Sequence, residues 1–156
     1  MLGAMRASNI TRLIEGTGSE PTAASAIIIR ALDTRVFIAR RSLDKPAWPG
    51  LWETIGGGIE PGETPVSCLL REIKEELHVG VKQFCFFRDY EFYQSVVRVF
   101  IVELAAEPVP DTADFIEWGW FAKDEIRRMD FAADCKKRLK DFFALPEYQE
   151  SLRTLE

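Results

Sequence analysis

The sequence contains few histidine and cysteine residues, which could bind zinc, and no long apolar run. It has one histidine, His78, and three cysteines without CxxC spacing among 156 residues, so neither a zinc site nor a disulfide framework is indicated. No stretch approaches the roughly 20 apolar residues of a membrane span, and the first twelve residues lack the apolar core of a signal sequence. These absences predict a cytoplasmic protein with reduced, buried thiols and no membrane partner. The cysteines are Cys68, Cys85 and Cys135.

An excess of positive charge is also missing. The chain has 20 Lys and Arg against 25 Asp and Glu, a formal net charge of −5. Binding to a nucleic acid polymer or to an anionic membrane usually needs a basic surface, so neither partner is expected. An acidic protein that handles phosphate groups must collect positive charge locally, from a few Arg or Lys side chains or from metal ions.

The length fits one domain. Residues 1–20, with Gly, Ser and Thr near their end, are predicted to be a flexible arm before a single domain over 21–156. Periodicity predicts a helix over 64–78, ended by Gly80, and a second over 131–145, followed by a polar tail after Pro146. Residues 42–62 are predicted to be loop. Strands are predicted over 24–30, 35–40, 81–92, 95–104 and 115–121. This element order favours an α/β sandwich in which helices cover both faces of a mixed sheet.

The first predicted helix combines an apolar stripe with an acidic ridge. Thr64 suits the N-cap and Pro65 the first helical position. At about 100° per residue, three glutamates lie beside the buried stripe rather than opposite it: Glu72, Glu75 and Glu76. Like charges at this spacing destabilise a helix, so the ridge requires a counter-charge. Because all the donors are oxygens, a hard cation is indicated, Mg²⁺ or Mn²⁺ as its substitute.

A glycine run precedes this helix. Gly56-Gly57-Gly58 permits close approach of the backbone, and a carbonyl there would be a further hard oxygen ligand. A metal held by carboxylates keeps positions for water and phosphate oxygens. The pattern therefore predicts phosphate chemistry at the junction of the glycine run and the helix.

These residues resemble the signature of the Nudix hydrolases. Gly57, five residues, Glu63, seven residues and the run 71–79, REIKEELHV, match a Gly, five spacers, a Glu, seven spacers and Arg-Glu-apolar-any-Glu-Glu-any-Gly-apolar. The single departure is His78 in place of the final Gly. Histidine can adopt a left-handed cap, although less easily than glycine.

The resemblance implies a Nudix-type α/β/α sandwich and hydrolysis of a diphosphate linkage in a nucleoside diphosphate derivative. It implies that Arg71 is structural and pairs with an acid. It implies catalytic roles for the three ridge glutamates. The metal ligands that it implies are the carbonyl of Gly57 and the carboxylates of Glu63, Glu72, Glu75 and Glu76, with Glu63 either assisting the metal or orienting its ligands.

Further candidates lie outside this signature (residues 57–79), which we call the Nudix box. Arg40 and Arg41 end a predicted strand, and either could hold a substrate phosphate. Glu53 could add to the metal site or hydrogen-bond the substrate. An acid before Trp120 often supplies a base or a further metal ligand in the family, and Glu117 is preferred here over Asp114. One aromatic side chain is expected to stack on a nucleobase; the candidates are Trp48, Trp52, Trp118, Phe92 and Tyr93.

Several functions remain open. The leading substrate class is a nucleoside triphosphate, followed by a dinucleoside polyphosphate or a nucleotide sugar. The stretch 40–52, RRSLDKPAWPGLW, also resembles isopentenyl-diphosphate isomerases. Those enzymes need a catalytic cysteine, and their Nudix box usually departs from the hydrolase pattern. A non-catalytic binding module would typically lack a box glutamate, and none is missing. The apolar strands also permit a homodimer.

Overall fold

The computed structural model describes residues 20–155, with side chains through residue 150. The predicted arm therefore lies, apart from Glu20, outside the described residues. The strands are β1 Ala23–Ile29, β2 Val36–Arg41, β3 Trp52–Glu53, β4 Ile55–Gly58, β5 Val81–Phe92, β6 Ser95–Leu104 and β7 Phe115–Phe121. The helices are α1 Pro65–Leu77, α2 Lys123–Ile126, α3 Cys135–Phe143 and α4 Pro146–Leu155.

All the described strands join one mixed sheet. Its main order is β3-β2-β1-β6-β5, with β4 paired to β1 and β7 paired to β2. β1 runs parallel to β6 and antiparallel to both β2 and β4. β1 is buried along almost its whole length, as expected for a central strand that has helices on both sides.

Two hydrophobic clusters lie on opposite faces of the sheet. On one face, Leu69 and Ile73 of α1 pack with Ile28 of β1. On the other face, Leu139 and Phe142 of α3 pack with residues of β1, β2 and β5. The predicted α/β/α sandwich is confirmed, and it holds α1 against the sheet beside β4.

Both ends of α1 are capped by side-chain or backbone geometry. The Thr64 hydroxyl accepts a hydrogen bond from the Ser67 amide at 3.1 Å, and the Ser67 hydroxyl accepts one from the Thr64 amide at 2.9 Å. His78 takes the left-handed conformation, with φ of 52°. The helix therefore ends at His78, and the prediction that Gly80 terminates it is wrong.

Other boundaries also differ from the predictions. Residues 42–62 contain β3 and β4, because pairing with β2 and β1 overrides the low strand propensity of glycine. The predicted helix over 131–145 is shorter, over Cys135–Phe143. Pro146 begins α4 rather than a tail, since proline suits the first turn of a helix.

Within residues 20–155, none of the helices has the length and apolar character needed to cross a membrane.

Candidate active site

Two glycines of β4 allow the acidic helix to approach the sheet. A Cβ on Gly56 would lie 2.3 Å from the carbonyl oxygen of Ala24, so a side chain there would collide with backbone. A Cβ on Gly57 would lie 2.2 Å from Oε1 of Glu72. The absence of side chains therefore places the Glu72 carboxylate directly against the β4 backbone.

Arg71 organises the acids around this contact. Its Nε and Nη2 donate to the two oxygens of Glu63 at 2.7 and 2.9 Å, a bidentate pair. Its Nη1 donates to Glu72 at 2.9 Å and to Glu75 at 3.2 Å, and Nη2 also donates to the Gly58 carbonyl at 3.1 Å. The Glu60 amide donates to Glu63 at 2.8 Å. The Arg71 hydrogen bonds lower the pKa of Glu63 to about 2.

Glu76 lies one helical turn beyond Glu72 and is largely buried. Its Oε2 atom is inaccessible and has no hydrogen-bond partner among the described residues. Burial, followed by the nearby charges of Glu53 and Glu72, raises the pKa of Glu76 to about 9. A buried carboxylate with an unpaired oxygen is costly, so this position is suited to a bound cation.

A second group of charges, from β2, β3 and two loops, lies near Glu76. Arg41 Nη1 donates to Glu53 at 2.8 Å, while burial raises the pKa of Glu53. Lys45 Nζ donates to Asp114 at 2.6 Å. Glu53 and Asp114 both act electrostatically on Glu76. Side chains of α1, β3 and the loop before β7 therefore form one acidic cluster, made of Glu53, Glu72, Glu76 and Asp114.

Backbone hydrogen bonds place Asp114 in this cluster. The Asp111 amide donates to the Glu76 carbonyl at 2.8 Å, and the amides of Asp114 and Phe115 return to the Asp111 carbonyl at 3.1 and 3.0 Å. The Ser42 amide donates to the Asp114 carbonyl at 2.9 Å. The 111–115 turn is thus fixed between the C-terminal end of α1 and the loop that follows β2.

Three basic side chains neutralise most of the cluster. Arg71 engages Glu72, Arg41 engages Glu53 and Lys45 engages Asp114. Across residues 20–155, no three acidic, histidine or cysteine side chains already converge on one metal position. The described chain nevertheless fits a hard cation, because the donors are oxygens, Gly57 lets the Glu72 carboxylate lie against the backbone of β4, and one oxygen of Glu76 is unpartnered among the described residues.

The predicted site residues are only partly brought together. Glu72, Glu76 and Glu53 share the cluster, whereas the Glu75 side chain is 59% exposed and is joined to Glu72 through Arg71. Glu117 is exposed on β7, opposite Arg40 in the sheet. Arg40 Nε donates to the Gly50 carbonyl at 2.7 Å.

Lys45 and Asp114 are site residues that the sequence patterns do not single out. The preference for Glu117 over Asp114 is not supported, because strand alternation gives no information about a turn that folds back onto a helix end. Lys45 belongs to no local pattern that predicts a site. Its proximity to Asp114 spans 69 positions in the chain, and local periodicity cannot reveal such a contact.

The cysteines are all buried. Cys68 lies beneath the glycine strand, with Sγ 3.5 Å from the Gly57 carbonyl oxygen and 3.4 Å from that of Gly58. Burial raises the pKa of Cys68, Cys85 and Cys135. These thiols therefore behave as packing groups in this structure.

The chain is similar to known proteins in sequence and in fold. The NUDIX domain model matches residues 20–142. The isopentenyl-diphosphate Delta-isomerase of Frankia alni is 27% identical over 110 residues, which are 64% of this chain and 57% of the isomerase. The nucleoside triphosphatase NudI of Escherichia coli O9:H4 is 25% identical over 124 residues, which are 69% of this chain and 87% of NudI.

The fold comparison agrees with the sequence match. A MutT structure from work on Aliivibrio salmonicida and Vibrio cholerae superposes with a TM-score of 0.63 at 20% identity, covering 87% of this chain and 99% of that one. At this identity the likeness concerns the fold alone. This chain spans only about 57% of the length of the isomerase.

Proposed function

This chain belongs to the Nudix family, and from that premise we propose that it is a Mg²⁺-dependent hydrolase of a diphosphate linkage in a nucleotide-type substrate. The observation that carries the proposal is the largely buried Glu76 carboxyl, which lies near Glu53, Glu72 and Asp114 and has one oxygen without a partner in the described part of the chain. A stable protein gains nothing from concentrating buried carboxylates. Such a cluster is explained if the protein binds a cation there.

The carboxylates of Glu72, Glu75 and Glu76 and the carbonyl of Gly57 would hold Mg²⁺, or Mn²⁺ in its place. When bound, the ion neutralises phosphate charge, polarises phosphorus and lowers the pKa of a bound water. Of the two roles predicted for Glu63, orienting the metal ligands is better supported than assisting the metal, because both of its oxygens are engaged by Arg71. Arg71 and Glu63 are therefore positioning residues that orient Glu72.

The remaining polar residues would bind the substrate and accept a proton. Arg41 and Lys45 bring two cations to the acidic cluster, and the phosphate oxygens of a diphosphate would compete with Glu53 and Asp114 for them. An acid freed in this way lies beside Glu76 and could accept a proton from water. The exposed position of Glu117 favours Asp114 over Glu117 for this role.

Nucleoside triphosphates remain the leading substrate class, ahead of dinucleoside polyphosphates and nucleotide sugars. The similarity to the Frankia alni isomerase favours isopentenyl diphosphate isomerisation as a second candidate. That reaction needs a catalytic cysteine, and Cys68, Cys85 and Cys135 are at most 5% exposed. The buried thiols and the complete set of box glutamates favour hydrolysis over isomerisation. The complete set of box glutamates also favours hydrolysis over a binding module.

The test is a substrate panel with Mg²⁺ that contains nucleoside triphosphates, dinucleoside polyphosphates, nucleotide sugars and isopentenyl diphosphate. Release of phosphate, pyrophosphate or nucleoside monophosphate is measured for the unmodified protein and for E72Q. We expect hydrolysis that E72Q reduces by orders of magnitude and that the exposed-acid control E91Q leaves intact. Isomerisation without phosphate release would instead support the second candidate, and no turnover with tight nucleotide binding would support the binding module.

A further inference from the structure

Three aromatic side chains from the loop after β2 and from the β5–β6 hairpin meet at the surface, and we call them the aromatic platform: Trp48, Phe92 and Tyr93. The ring centroids of Trp48 and Phe92 are 6.5 Å apart, and those of Phe92 and Tyr93 are 4.6 Å apart in an edge-to-face pair. Trp48 is 43% exposed and Tyr93 is 88% exposed. Large aromatic surface is thus left facing solvent at a point where two loops converge.

The two most exposed rings stand on backbone that disfavours them. Trp48 has φ of 53° and Tyr93 has φ of 54°, a left-handed conformation that suits Gly, Asn or Asp. Tyr93 also begins the two-residue turn between β5 and β6, where Asn or Gly is usual. A bulky residue in this region costs free energy. Its presence at both positions indicates that the rings serve something other than the turns.

The platform is fixed beside the acidic cluster by Arg41. Its Nε donates to the carbonyl of Ala47, the residue before Trp48, at 3.0 Å, and its Nη1 donates to Glu53 at 2.8 Å. A single guanidinium group therefore joins the loop that presents Trp48 to an acid that faces Glu76. The Gly50 amide donates to the Arg41 carbonyl at 3.1 Å, which closes this loop onto the end of β2.

We propose that the aromatic platform binds the nucleobase of the substrate, while Arg41 and Lys45 face its phosphates. This inference rests on the proposed function and specifies the substrate class as one that carries a flat aromatic group. Base stacking on exposed rings tolerates different bases, so the platform favours nucleotides over aliphatic diphosphates. Cations beside the rings match a ligand whose aromatic and anionic parts are close together.

The test uses substitutions that remove a ring and also relieve the backbone. Asparagine is accepted at positive φ, so W48N and Y93N are expected to keep or raise the melting temperature. Both should raise KM for adenosine and guanosine triphosphate by about tenfold, the order expected for one stacking ring, with kcat little changed. Inhibition by tripolyphosphate, which has no base, should stay the same. The control L32N removes an exposed apolar side chain from the β1–β2 turn and should change none of these values.

Calorimetric titration of the same nucleotides, with Mg²⁺, separates this inference from the proposed function. Weaker nucleotide binding by W48N and Y93N in a protein that hydrolyses nothing would support the platform and refute the hydrolase. Unchanged KM and affinity in an active enzyme would refute the platform alone. Equal losses of affinity for nucleotide and tripolyphosphate would also refute the platform, since the rings would then serve the phosphate site. Loss of self-association with nucleotide affinity unchanged would refute it as well, since the rings would then serve a contact between copies.

Discussion

Replacing Glu76 by glutamine should stabilise the metal-free protein while destroying its activity. The Glu76 carboxyl is held among other acids, and its pKa is raised from the ordinary value of 4.5 to about 9. Because the folded pKa exceeds the unfolded one, this group destabilises the fold increasingly as pH rises from about 4.5 to about 9. Glutamine has a similar shape and cannot ionise, so it escapes this penalty.

The size of the effect follows from the two pKa values. At pH 7 the unfolded carboxyl is ionised and the folded one is protonated, so the group must take up a proton on folding. Because pH 7 lies 2.5 pH units above the ordinary pKa of 4.5, this uptake costs about 3 kcal/mol. For a chain of this length, each kcal/mol changes the melting temperature by about 2–4 °C. E76Q should therefore melt about 6–12 °C higher than the unmodified protein at pH 7 without metal, and should lose this advantage near pH 5.

Thermal melts from pH 5 to pH 9, with chelator and then with Mg²⁺, measure both halves of the argument. Magnesium should stabilise the unmodified protein according to its affinity and should have little effect on E76Q, which lacks a ligand charge. E91Q removes an exposed acid of β5 and should change stability by less than about 0.5 kcal/mol. If metal-free E76Q were no more stable at any pH, the acidic cluster would not be strained and the metal proposal would lose its main support.

Three other substitutions test the surrounding geometry. R71K retains the charge but loses the bidentate fork to Glu63 and the contact with Glu72, so Mg²⁺ affinity or kcat, measured by titration of activity with metal, should fall about 10- to 100-fold. G57A places a Cβ 2.2 Å from Oε1 of Glu72, and kcat should fall by about 100-fold even though circular dichroism shows a folded protein. H78G restores the family residue at a left-handed cap and should raise the free energy of unfolding, measured with urea, by about 1 kcal/mol while leaving kcat unchanged; a drop in kcat would assign His78 a catalytic role.

Local sequence signals predicted the elements that are stabilised locally. Thr64 and Pro65 carry their own capping chemistry, and the strands over 81–92, 95–104 and 115–121 are apolar enough to be predicted with their observed bounds. β4 escaped prediction because its sequence, IGGG, has no strand propensity. It forms because Gly56 fits against the Ala24 carbonyl, a contact between residues that are distant in sequence.

The candidate site shows the same division between local and non-local information. Spacing along one helix is sufficient to place Glu72 and Glu76 beside the core, whereas Glu75, predicted on the same ridge, is 59% exposed. Whether Asp114 lies near Glu76 depends on the 111–115 turn, whose position is fixed by hydrogen bonds to both α1 and the loop after β2. Only the folded chain therefore reveals that Asp114, and not Glu117, completes the acidic cluster.

The ion pairs of the cluster suggest how a chain with this site remains folded before it binds metal. Arg71, Arg41 and Lys45 each hold one of its acids, so only Glu76 is left to bear an unpaired buried oxygen among the described members of the cluster. Removing a basic partner would leave a second acid of the cluster without its ion pair and should destabilise the protein, whereas neutralising Glu76 should stabilise it. The same arrangement makes Glu76 the position at which a cation gains most, because every other acid must first exchange a partner that it already has.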